Sequence, residues 1–162
     1  EENIELFNLY RQRDHNVSAA ISNNKKEVDL FFYHSKSALN TINKDTADYQ
    51  KAVVSKVKKI KTTTLNNVLD YSRFKDFTID FLTIDVEGSE LLVLENFNFS
   101  KYKPKIIVVE YLDLSLNKLE IKNLNITSAI KSSIYKLIIS HNYTLVNMLH
   151  SDLVFAHNDF RD

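Results

Sequence analysis

Ile79-Asp80-Phe81-Leu82-Thr83-Ile84 runs into Asp85-Val86-Glu87-Gly88 and then into Ser89-Glu90-Leu91-Leu92-Val93-Leu94. The first six residues are β-rich and apolar, so they read as a strand. Gly88 permits a sharp exit from it. Residues 89–97 then read as a helix with Leu91, Leu92 and Leu94 turned inward. After Pro104, Ile106-Ile107-Val108-Val109 is a continuous apolar strand of the kind found in parallel sheets covered on both faces. A strand, a helix and a second strand form one crossover unit. That unit sets the fold class as α/β, a sandwich with a mostly parallel sheet.

The flanking elements extend this pattern. Residues 3–10, with Ile4, Leu6, Phe7 and Tyr10, have the spacing of an amphipathic helix that ends near Arg11. Residues 17–21 and 30–33 are two short strand candidates. Residues 34–50 are polar and read as a long surface loop. A further strand is expected over 57–63, after which Thr64 can cap a short helix carrying Leu65, Val68 and Leu69 on one face. Ile130, Ile134, Leu137 and Ile138 fall at i, i+4, i+7 and i+8, which predicts one amphipathic helix. Residues 144–149 and 152–156, joined by His150-Ser151, predict a C-terminal antiparallel hairpin.

Composition bounds the function. A chain of 162 residues reads as a single domain over 1–162, and 44% hydrophobic content is enough for a core. Lys+Arg and Asp+Glu balance at 21 each, so bulk charge points neither to nucleic acid nor to an anionic membrane. The absence of Cys excludes a disulfide framework, a thiolate zinc site and a cysteine nucleophile. No apolar run approaches the roughly 18 residues of a membrane span, and no signal-peptide pattern opens the chain, so a cytoplasmic location is expected. Ordinary usage predicts about 11 glycines in this length; there is one, Gly88. A glycine-rich phosphate or nucleotide loop is therefore excluded within the chain.

Two strands end in acid, at Asp85-Val86-Glu87 and at Glu110. If 85–87 stays extended, Asp85 and Glu87 point to one side, and Glu110 lies beyond a strand about 4.8 Å away. Ligands in open α/β sheets sit at such strand ends. Three converging carboxylates suit a general base with raised proton affinity, or a hard cation such as Mg²⁺. The plainer alternative is that Asp85 caps the following helix and Glu87 favours its positive end. No residue is assigned as a metal ligand. His15, His34, His141, His150 and His157 have no ligand spacing and read as surface or hairpin residues. The sequons at Asn16, Asn98, Asn125 and Asn142 read as chance occurrences in an Asn-rich chain, and the basic stretch 51–61 reads as a solvated face. A Ser/His/Asp hydrolase lacks its nucleophile-elbow glycines.

Thr64-Leu65, then 79–91 with its Ile84-Asp85-Val86-Glu87-Gly88-Ser89-Glu90 string, then Val93-Leu94, resemble the signature of the FkbM-type methyltransferases. Lys103 to Glu110 is similar to that family's next strand. Ser140-His141-Asn142-Tyr143 with Ser151-Asp152-Leu153-Val154-Phe155 is similar to its closing hairpin, so the resemblance spans about residues 14–158. It implies a Rossmann-like methyltransferase that uses S-adenosylmethionine to methylate a hydroxyl of a small-molecule or glycan acceptor: a sugar, glycan, lipid or metabolite. Neither nucleic acid nor a membrane span is implied. Carried over by position, Asp85, Glu87 and Glu110 become the catalytic acids, with Glu110 on the acceptor side. Ala20, Ile21 and Ser22 fall near the adenine, and Asp85 also faces the cofactor. The family's glycine-rich loop and ribose-binding acid have no counterpart, so the first strand-helix-strand is expected to be missing. A gap should then open between the strand at 17–21 and the strand at 79–84. The resemblance thus leaves two expectations: a methyltransferase part with weakened cofactor binding, or a non-catalytic α/β remnant that serves as a binding or scaffold domain.

Overall fold

Strands and short helices alternate along the chain in a computed structural model that describes residues 2–23, 26–34, 37, 39–49, 54–111 and 126–161. The first half contributes α1 (Glu2–Tyr10), β1 (Ala20–Ile21), β2 (Glu27–Phe32), α2 (Lys44–Tyr49), β3 (Lys56–Thr63) and α3 (Leu65–Asp70). Its strands form a three-stranded sheet of order β1-β3-β2, with β3 parallel to β1 and antiparallel to β2. The second half contributes β4 (Phe81–Ile84), α4 (Glu90–Leu94), α5 (Phe99–Tyr102), β5 (Ile106–Glu110), α6 (Ile126–Ala129), α7 (Ser133–Ser140), β6 (Tyr143–Leu149) and β7 (Asp152–His157). These strands form a four-stranded sheet of order β4-β5-β7-β6.

The crossover unit is as expected: β4 and β5 pair in parallel, with Ile84 opposite Val109. The closing hairpin also forms, with Leu149 opposite Asp152. The expectation of a mostly parallel sheet does not hold. Both sheets are mixed, because β2 returns antiparallel along β3 and the hairpin sets β7 antiparallel beside β5. β1 and β4 each stand at the edge of their own sheet, and among the described residues no strand pairs with the outer edge of either.

The core gathers on the four-stranded sheet. Ile107 and Val109 of β5 and Leu153 and Phe155 of β7 are fully buried, against Val93 and Leu94 of α4 and Ile134 and Ile138 of α7. Phe97, Phe99 and Tyr102 close one end, with the rings of Phe97 and Tyr102 stacked at 5.5 Å. The Tyr143 hydroxyl donates to the carbonyl of Pro104 at 2.6 Å, and burial pushes its proton affinity up. The three-stranded sheet is different. Lys56, Lys58, Lys59 and Lys61 of β3 are exposed, and the ammonium groups of Lys56 and Lys58 lie 4.8 and 5.7 Å from the centre of the Phe32 ring. A solvated outer face is what antiparallel pairing tolerates and parallel pairing seldom shows.

Local chemistry explains the other departures. The stretch read as loop holds α2, because Asn43 Oδ1 accepts the Thr46 N–H at 3.1 Å and caps it. Thr64 caps α3 as expected, accepting from the Asn67 N–H at 3.1 Å. The single helix expected through Ile130 is divided into α6 and α7. Ser132 is extended, accepts from the Tyr135 N–H and starts a new helix, leaving Ile130 in the turn. In α4 the phase is set by Glu90, which is buried; Val93 and Leu94, three and four residues on, share its face. Leu91, expected inside, is 37% exposed. The Asn125 sequon, residues 51–53 of the basic stretch and residues 35, 36, 38 and 50 of the expected loop lie outside the described residues.

Candidate active site

Strand β4 ends at Ile84, and the chain then turns rather than continuing extended: φ is +55° at Glu87 and +87° at Gly88. Strand alternation therefore does not orient Asp85 and Glu87, as the sequence had implied. The turn is gripped from two sides. From α4, Glu90 Oε1 accepts the N–H groups of Val86 at 2.9 Å and Gly88 at 3.1 Å. From the segment before α2, Thr41 Oγ1 donates to the Glu87 carbonyl at 2.8 Å, and Asn43 Nδ2 donates to the Gly88 carbonyl. A side chain at position 88 would overlap Thr46 Oγ1, so glycine is required there by both backbone and space. The residue preceding α4 is Ser89, which makes no side-chain cap, and Asp85 does not cap the helix either.

The turn stands between two cavities. The larger, about 740 Å³, is lined by Ala20, Ile21, Ile42, Ile60, Asp85 and Glu87 among others. Asp85 and Glu87 thus share a cavity although the reason given for it fails. Ala20 and Ile21 line it as well. Ser22 does not: it is buried, its N–H donates to the Thr63 carbonyl at 2.9 Å, and its hydroxyl lies in the protein interior. Glu110 opens instead onto a smaller cavity of about 190 Å³, shared with Glu90, Tyr111, Ser132 and Ser133. The two sides nevertheless meet, because carboxylate oxygens of Asp85, Glu90 and Glu110 lie within 4.8 Å of one another. At that spacing carboxylates share protons or surround one hard cation.

The electrostatics follow from this crowding. Burial first, then the charges of Asp85, Glu90, Glu87 and Asp152, push the Glu110 carboxyl up to about 8. Burial raises Glu87 as well, with Asp85 and Glu90 adding to it. Burial raises Glu90, while the amide hydrogens of Val86 and Gly88 oppose the rise. Among the described residues no ion pair reaches Asp85, Glu90 or Glu110. The described histidines stand apart from the cluster. His141 stacks on Phe99, and the buried His157 accepts the Asp159 N–H at 3.1 Å.

A family model described as the methyltransferase FkbM domain matches residues 1–148. The chain belongs to the FkbM methyltransferase family. No curated protein and no solved structure matches it. The FkbM match starts and stops earlier than the resemblance read from the motifs, taking in α1 and leaving out β7. Members use S-adenosylmethionine, and the family implies a Rossmann-like methyltransferase fold. No helix among the described residues is long and apolar enough to cross a membrane.

Three residues of this candidate site in the FkbM chain are not apparent from the sequence. Thr41 and Asn43 lie about 45 positions before the turn they clamp, and only a helix-capping pattern at Asn43 hints at order there. Glu90 stands inside the recognised string, but an acid in a helix's first turn is ordinarily solvated. Its burial, at 5% exposure, comes from tertiary packing.

Proposed function

We propose that this chain carries the catalytic acids of an S-adenosylmethionine-dependent O-methyltransferase whose acceptor is a hydroxyl of a sugar, glycan, lipid or small metabolite. In this reading residues 1–162 act as one domain. The observation that supports it is the acid turn between two cavities, with Glu110 poised to exchange a proton near neutral pH.

The larger cavity fits the cofactor in size and chemistry. Its volume lies within the range typical of small-molecule sites. Ala20, Ile21, Ile42 and Ile60 offer an apolar wall to a nucleobase, and Asp85 and Glu87 offer negative charge to sulfonium and amino groups. Ser22 supports this wall through its backbone bond to Thr63. When bound, the cofactor supplies an electrophilic methyl group. On the other side of the turn, the hydroxyls of Tyr111, Ser132 and Ser133 give the small cavity a rim suited to a polar acceptor. Glu110 in its ionised form takes the proton of the acceptor hydroxyl, a contribution of about 10²–10⁴-fold. Holding the two reactants in line where the two sides approach, at the Asp85, Glu90 and Glu110 carboxylates, would supply more.

Calorimetry with S-adenosylmethionine, followed by transfer of labelled methyl to hydroxylated acceptors, tests this reading. Expected are cofactor binding weaker than micromolar, since the glycine-rich loop has no counterpart in these residues, a further loss of at least tenfold in Asp85→Asn, and transfer that Glu110→Gln abolishes. Failure to bind by a chain that melts cooperatively would favour the second reading, a non-catalytic binding or scaffold domain. The outer edges of β1 and β4, which pair with no strand among the described residues, are the observation on that side.

A further inference from the structure

The acid turn owes its shape to a residue outside the three acids assigned to catalysis. Glu90 is almost wholly buried, and one of its oxygens accepts two amide hydrogens, from Val86 and Gly88. Those two amides bracket Glu87, so the bond pair wraps the turn around the Glu90 carboxylate. The same residue lines the small cavity beside Glu110, and its carboxylate belongs to the close group with Asp85 and Glu110.

We propose that Glu90 is the positioning residue of this site: it folds the 85–88 turn so that Asp85 and Glu87 face the large cavity, and it holds a fixed negative charge beside Glu110. The inference rests on the methyltransferase reading for its purpose, though not for its test. Its logic is a division of protons among crowded acids. Burial raises the Glu90 carboxyl, and its two N–H donors oppose that rise and favour the ionised form. Asp85 is exposed to water. Among the described residues one buried oxygen of Glu110 has no hydrogen-bond partner and burial raises this carboxyl to about 8, so we assign to it the proton the group retains. The charged groups that face Glu110 are Asp85 and Glu87 from the turn, Glu90 from α4 and Asp152 from the neighbouring strand β7, and all carry the same sign. Glu90 therefore does two things that a neutral residue could do only in part: it shapes the turn, and its charge raises the proton affinity of Glu110, whose ionised form then takes the acceptor proton more readily. An isosteric amide separates them, because glutamine keeps an oxygen for the two amides and loses the charge.

The test is carboxyl ¹³C NMR of the full chain, following Glu110 with pH, together with the amide signals of Val86 and Gly88. In Glu90→Gln the two amides should stay in place, while the Glu110 midpoint falls by about one pH unit. In Glu90→Ala the two amides should also shift and exchange faster. A Glu110 midpoint unchanged in Glu90→Gln would mean that Glu90 itself carries the proton and would overturn the inference. So would loss of both amide positions in Glu90→Gln, which would show that charge rather than geometry sets the turn. If Glu90→Ala fails to fold, the Glu90→Gln spectra decide alone. None of these measurements needs cofactor or acceptor, so failure of the methyltransferase reading appears separately, in calorimetry of the unmodified chain.

Discussion

Replacing Gly88 by alanine tests the packing that holds the site. At φ +87° an L-residue strains the backbone by about 1–2 kcal/mol. The new Cβ would also overlap Thr46 Oγ1, and Thr46 is 1% exposed on α2, so its side chain has little room to move away. Overpacking of that kind costs about 1–3 kcal/mol. Alanine's stiffer unfolded chain offsets less than about 1 kcal/mol of this. The expected loss is therefore about 2–4 kcal/mol, or about 1–2 M in urea midpoint at an ordinary slope for a domain of this size. Asn43 Nδ2 would sit 3.4 Å from the new atom, close to ordinary contact, and adds little.

The second half of the experiment separates the two causes. Thr46→Ala removes the overlapped atom, and that buried hydroxyl has no hydrogen-bond partner among the described residues, so the single variant should lie within about 1 kcal/mol of the parent. The double variant Gly88→Ala, Thr46→Ala should keep only the backbone strain. The expected coupling is about 1–3 kcal/mol of recovery, read as a return of the urea midpoint at constant slope. A Gly88→Ala midpoint equal to the parent's, or a double variant no better than Gly88→Ala alone, would refute the contact between α2 and the turn.

Glu110→Gln should stabilise the chain in a pH-dependent way. Folding raises the Glu110 carboxyl from its ordinary 4.5 to about 8, so its neutral form favours the fold below 4.5 and that advantage is lost as pH rises to about 8. Melts of variant and parent should thus agree near the lower pH and separate by about 1–3 kcal/mol at the upper one, solvent screening included; a constant difference would contradict the shift. Thr64→Ala should cost about 1 kcal/mol through loss of the α3 cap, a fall of about 2–4 °C in Tm by calorimetry. Leu94→Ala should cost about 2–5 kcal/mol in urea titration and Leu91→Ala less than about 1, since Leu94 is fully buried and Leu91 is not; equal losses would contradict the observed phase of α4.

Much of the architecture was legible because it rests on local signals. Continuous apolar runs gave β4 and β5, a two-residue connection gave the hairpin, and a threonine before an apolar face gave the α3 cap. The mixed character of the sheets was not legible, because strand direction between β2 and β3 is set by a return through residues that read only as polar. The site divides in the same way. Gly88 and the acids around it stand in one short string, so their proximity could be read, as could the approach of Glu110 through the parallel pairing of β4 with β5. That Glu110 opens on a different cavity from Asp85 depends on a turn with two successive positive φ values, and Glu87, the first of them, gives no sign of it. The grip of Thr41 and Asn43 is a long-range contact with no period or spacing to betray it.

The arrangement as a whole works against stability, and that bears on its meaning. Asp85, Glu90 and Glu110 crowd together without an ion pair among the described residues, next to a non-glycine residue held at positive φ. Each of these is a cost that a purely structural turn would shed, since an amide or an apolar side chain at position 110 would relieve the repulsion. The cost is sustained by bonds from both halves of the molecule: Glu90 from α4, Thr41 and Asn43 from the segment after β2. Strain and like charge retained against such an alternative, at the end of a parallel strand and facing two cavities, mark a working site. The corollary is a change of opposite sign in two measurements. Glu110→Gln should gain stability at high pH in the same chain in which it loses methyl transfer, whereas an acid kept for the fold would lose both together.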